Sequence, residues 1–174
     1  AVAYRDLDRT VRELGPRDGR LYRRILTPLV RGAGTVRDIG LSDVRSVPSS
    51  ALRPRGLGAV AALGATALTL GTPLWDKLTD APACGALLSG VGAHANTPIP
   101  SLAGAATALL LGTLAHSRGW PIPIGGSKAI TDAVVADLHA RGATVQCDYR
   151  VQHTSDLPAA RTYLFDTSPW TLSR

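Results

Sequence analysis

The chain has 174 residues, of which 45% are hydrophobic, 18% charged and 5% aromatic, and its formal net charge is +6. That apolar mass excludes a disordered acidic or basic tail, and the length allows one domain, or parts of two, with a real core. Two cysteines exclude a disulfide framework, and a sequence without methionine is expected of a processed chain or of a piece of a longer one.

The charge is unevenly spread. Of the 17 arginines, 12 lie in the first 55 residues against 6 acidic residues, and the remainder is balanced. Basic segments suit phosphates or anionic membrane surfaces. Here Asp6, Asp8, Glu13 and Asp18 interleave with the arginines, and Tyr4 and Tyr22 are the only nearby aromatics. A solvated surface is expected, without a nucleic-acid partner.

Residues 6–14 place Leu7, Val11 and Leu14 on one helical face, with Asp6 or Asp8 near the start and Gly15-Pro16 as the stop. Asp18 is expected to cap a second helix whose stripe is Leu21, Tyr22, Ile25, Leu26, Leu29 and Val30, kinked at Pro28. Residues 31–55, with their Gly, Pro and Ser clusters, are expected to be loop with short helical turns. Apolar helices follow at about 57–70, 82–94 and 101–116, the last two separated by Pro98 and Pro100. The runs 57–75 and 101–116 are expected to be buried core helices, because a membrane span wants about 20 apolar residues.

At Gly119 the texture changes. WPIPIGGS is extended, since each proline restricts the residue before it. Ser127 is expected to cap a helix with Ile130, Val134, Val135 and Leu138 on its buried face and Gly142 as its stop. Short strands are expected at 143–147, 149–153 and 162–166. The fold class is therefore α+β: a mainly helical part, 1–118, then a strand-helix-strand part, 119–174.

Most catalytic signatures are missing. GLGAVA at 56–61 fits a dinucleotide fingerprint on paper, but ALRPR precedes it where a strand is required. His94, His116, His139, His153, Cys84 and Cys147 have no metal-ligand spacing, so no metal site is expected. His94 and His116 end apolar helices, where an imidazole suits the dipole or faces a substrate cavity. Neither a nucleophile elbow nor a phosphate loop occurs. The pair Gly125-Gly126 before a helix start would let a ligand approach the backbone, and Trp120 offers a flat apolar face beside it.

One stretch carries more. Pro123, Gly125-Gly126, Gly142, Arg150-Val151, Leu157-Pro158-Ala160-Arg161 and Asp166-Thr167-Pro169 follow one another in a pattern that resembles the phytoene desaturase-like group of FAD-dependent oxidoreductases, within the amine oxidase superfamily. LYRRILTPLVR, His94 and the run from His116 through Gly119-Trp120-Pro121 are similar to that group more loosely. The resemblance covers nearly the whole chain and is most specific from about 112 to 171.

The resemblance implies a fragment of a two-domain flavoprotein with a Rossmann-like FAD domain. Its implied cofactor-binding residues are Val151, against the adenine end of FAD through its backbone, with Gly125, Gly126, Asp166, Thr167 and Pro169 near the cofactor. Trp120, His94 and His116 are implied in the cleft of an apolar small-molecule substrate, and residues 1–118 in a substrate-covering domain. No catalytic side chain is implied, because in such enzymes the flavin takes the hydride. The chain departs from the pattern by lacking both the N-terminal glycine fingerprint and the C-terminal Gly-rich segment, as a central fragment would. A cytoplasmic enzyme, compatible with peripheral membrane contact, is expected. The alternatives are a non-enzymatic membrane-surface module built from the apolar helices and the Arg-rich end, and a basic nucleic-acid-binding domain.

Overall fold

Asp6 starts the first helix as its side chain accepts from the Arg9 backbone N–H at 3.0 Å. Helix α1 (Leu7–Arg31) then runs in two arms that meet at Gly15, the residue inside it with non-helical angles, φ 79 and ψ −179. The break falls at the Gly15-Pro16 stop, whereas the helix passes through Pro28 without losing helical geometry. The computed structural model describes residues 1–43, 45–78, 80–168 and 170.

The segment 31–55 departs from the expected loop. Helix α2 (Ala33–Leu41) and a 3-10 turn at Ser49–Leu52 occupy it. Only Val36 of α2 is buried, so the segment has no apolar stripe to announce a helix. Helix α3 (Pro54–Leu70) starts with proline at its first position, where the missing N–H costs nothing. GLGAVA lies inside α3, and a side chain at Gly56 would strike the Ser50 carbonyl, so this glycine serves packing. Helix α4 (Pro82–Gly92) ends in a 3-10 turn at Ala93–Ala95, and α5 (Leu102–Ser117) is capped by Ser101, whose hydroxyl accepts from Gly104 N–H at 3.1 Å.

The chain divides into two compact units, Ala1–Pro121 and Ile122–Arg174. In the first, α5 packs against α1, α2, α3 and α4. The core centres on Leu26 and Leu29 of α1, Leu70 of α3, Cys84 of α4 and Leu109 of α5. Each fully buried leucine is worth roughly 1.5–3 kcal/mol of apolar burial, an upper bound against a compact unfolded chain. Helix α3 is less enclosed than expected of a core helix: Leu57 and Leu68 are 55% and 60% exposed.

Asp18 does not cap its own helix. Its carboxylate accepts from the backbone N–H of Cys84 at 2.7 Å, in the first turn of α4, and so ties two helices together.

The second unit contains helix α6 (Lys128–Ala140) and a 3-10 turn at Thr154–Asp156. Ser127 makes no side-chain capping bond, and Ile130, Val134 and Leu138 are exposed rather than buried. The surface of α6 carries the i,i+4 pairs Lys128–Asp132 at 2.6 Å and Asp137–Arg141 at 2.9 Å.

No strand occurs among the described residues, so the α+β expectation and its Rossmann-like element are corrected: the described chain is all-helical with connecting turns. The segments 143–147, 149–153 and 162–166 find no ladder partner, which a strand needs for its backbone groups. Local bonds take over instead. The Tyr149 hydroxyl donates to the Asp156 carbonyl at 2.6 Å, and Tyr163 donates to Pro158 O at 2.9 Å. The Asp156 carboxylate accepts from the N–H groups of Gln152 and His153, which holds it below the usual carboxylate range. No helix among the described residues is long and apolar enough to cross a membrane.

Candidate functional site

The first unit contains a cavity of about 450 Å³ where the N-terminal segment, α1, α4 and the end of α5 converge. Its apolar lining includes Val91, Ala115, Trp120 and Pro121, with Tyr22 at its floor. The wall formed by Ala3, Tyr4 and Arg5 is anchored by buried Thr10. The Thr10 hydroxyl accepts from Tyr4 N–H at 2.8 Å and lies 3.1 Å from the carbonyls of Tyr4 and Asp6, one of which takes its proton. Arg9 stacks over the Tyr4 ring at 3.9 Å.

Behind Tyr22 sits a buried histidine bonded at both ring nitrogens. His116 lies in the last turn of α5, buried, with Nδ1 3.2 Å from the Arg5 carbonyl and Nε2 2.9 Å from the Tyr22 hydroxyl. A carbonyl can only accept, so Nδ1 carries the proton and the bare Nε2 of the neutral ring accepts from Tyr22. The two rings meet edge to face, 5.6 Å apart at 76°. Burial pulls His116 below the ordinary imidazole value of 6.5, against the backbone contacts to Arg5 and Tyr4 that act the other way. Burial pushes the Tyr22 hydroxyl up to about 12. At neutral pH both groups are uncharged, so the pair is a neutral hydrogen-bonded couple at the edge of the cavity.

Of the three residues expected in a substrate cleft, Trp120 lines the cavity directly. His116 stands one residue behind it, reaching it through Tyr22. His94 caps locally, with Nδ1 donating to Val91 O at 3.1 Å, and its ring lies 6.4 Å from that of Trp120. Nothing in the sequence places Tyr22, Arg5 or Arg118 at a cleft. Tyr22 hides in a core stripe, and its pairing with His116 spans 94 positions.

The residues expected at a cofactor lie in the second unit. Gly125 and Gly126 take φ 89 and 81 just before α6, but the Gly126 N–H donates to Pro123 O at 3.1 Å, closing the turn on itself. Val151, Asp166 and Thr167 are exposed, and Pro169 lies outside the described residues. An FAD cradle needs a strand, a tight turn and a helix whose N–H groups face the phosphates. The described residues offer the turn and the helix without the strand, so they do not by themselves fit FAD. Among the described residues no cluster of three His, Cys, Asp or Glu is placed to hold a metal ion.

Both cysteines are free, Cys84 buried and Cys147 exposed. Burial, and secondarily the Asp18 carboxylate, pushes the Cys84 thiol up to about 12, which suits a core side chain and not a nucleophile.

No family model, no curated protein and no solved structure matches the chain.

Proposed function

We propose that the chain is part of a phytoene desaturase-like FAD-dependent oxidoreductase, and that its helical first unit serves to bind the apolar substrate. The observation that carries this is the cavity above Tyr22. Its volume falls in the range of small-molecule sites, about 300 to 1,000 Å³, and its walls are mainly apolar with a few fixed polar groups. Trp120 gives a broad face for a flat or extended apolar chain, and the Tyr22–His116 pair keeps that floor in place. The sequence pattern from Pro123 to Asp166-Thr167 supports the same assignment.

In this proposal the residues of the chain bind, orient and shield the substrate from water, and none carries a redox step. FAD would be held chiefly by protein outside this chain, since the described residues lack a complete cradle. The enzyme would be cytoplasmic, touching a membrane only at its surface.

The test is to sequence the gene on both sides of the coding segment. An in-frame G-x-G-x-x-G motif in a strand–turn–helix context upstream is the expected result. A start codon directly before Ala1, with no such motif in frame, would overturn the proposal.

A further inference from the structure

We propose that the cavity takes an apolar ligand with an anionic head, such as a long-chain carboxylate, with Arg5 and Arg118 holding the head. This rests on the cavity being the substrate site, and adds the chemical class of the substrate.

The charged residues lining the cavity are Arg5 and Arg118, and no acidic residue lines it. Of the 13 arginines in the first unit, four pair with carboxylates among the described residues: Arg17 with Asp80, Arg23 with Asp8, Arg37 with Asp38 and Arg45 with Asp43. Arg5 and Arg118 form no ion pair among the described residues. The two line one cavity and meet beside Gly119. This residue has φ +82, and the Arg5 stem crosses it so closely that a Cβ there would lie 3.3 Å from Arg5 Cδ. Arg5 therefore passes the backbone immediately after Arg118, although the two are far apart in sequence.

The rest of the lining is largely apolar, with Val91, Ala115 and Trp120 beside the buried Tyr22 ring. The tyrosine proton is committed to His116, so the floor offers no strong donor for a second polar group. Such a site joins two guanidinium groups to an apolar lining. A guanidinium donates two parallel N–H bonds to a carboxylate or phosphate, and both are stronger than bonds between neutral groups. An amphiphile with one anionic end satisfies every part of the lining, whereas a wholly apolar chain leaves both guanidinium groups unused.

The experiment is titration calorimetry on the full 174-residue chain with four probes of one chain length: dodecanoate, dodecyl phosphate, methyl dodecanoate and dodecanol. The expected result is that at least one anion binds about tenfold or more tighter than the neutral pair. The tighter anion identifies the head as carboxylate or phosphate. Arg5→Gln and Arg118→Gln are exposed substitutions that leave the core intact, and each should erase most of that preference without weakening the neutral probes. Equal binding of charged and neutral probes would overturn the anionic head and leave the apolar pocket standing. A preference that survives the double variant would also overturn it. Binding of no probe would remove this inference together with the pocket beneath it.

Discussion

In α1, Tyr22, Leu26 and Leu29 stand at helical spacing and are sealed from water, while in α6 Ile130, Val134 and Leu138 stand at comparable spacing and are exposed. The difference lies in what faces each stripe. Helix α5 meets α1 with small residues, and its Gly112 lets Leu26 Cδ1 come within 3.4 Å of where a Cβ would sit. No described residue of the second unit is buried. Periodicity marks a face, but burial needs a second surface, and that surface is written elsewhere in the chain.

Substitutions can break or sharpen this contrast. Leu26→Ala removes a fully buried side chain from the first unit and should cost about 2–5 kcal/mol in urea unfolding. A cost near zero would mean that the core is not packed as described.

Next in size is a pH effect from the same core. The folded state holds His116 neutral below the ordinary value of 6.5, where the unfolded chain takes up a proton. Stability is therefore complete above about pH 6.5, falls as pH drops through the folded pKa, and levels off beneath it. The slope is at most about 1.4 kcal/mol per pH unit. Unfolding midpoints at pH 7.5 and 5 should diverge more in the wild type than in His116→Gln. Equal divergence would show that His116 protonates as freely folded as unfolded.

Asp18→Ala strips the cap from α4 and should cost about 1 kcal/mol, with the loss confined to thermal unfolding of the first unit. The smallest effect belongs to the second unit. Val134→Ala should change stability by less than about 0.5 kcal/mol in urea unfolding, because it removes a largely exposed side chain. A loss comparable to that of Leu26→Ala would dissolve the contrast between the units.

Much of the helical part was legible in the sequence for identifiable reasons. Asp6, Gly15-Pro16 and the prolines at 98 and 100 act on their immediate neighbours, so local chemistry announces the start of α1, the break inside it and the gap before α5. Helix α2 was hidden because only Val36 anchors it. The strands expected after Gly142 do not form, because β-branched and aromatic residues signal a strand only where a ladder exists to receive them. In the cavity, Trp120 was legible as an exposed aromatic beside a turn. Tyr22 was not, since a tyrosine within a leucine stripe looks like core until its hydroxyl meets a histidine brought from another helix. Asp18 misled for the same reason: its partner, Cys84, is 66 positions away.

Gly15 has a reach beyond its own turn. Its angles fall in a region that only glycine enters without strain, so selection can keep little else there. The first arm of α1, whose direction it sets, carries Thr10, and Thr10 fastens the segment that walls the cavity. A residue with no side chain and no place in the lining thus acts as the fulcrum of the pocket. Among descendants of this sequence, the shape of the cavity would be inherited through that glycine as much as through the residues that line it.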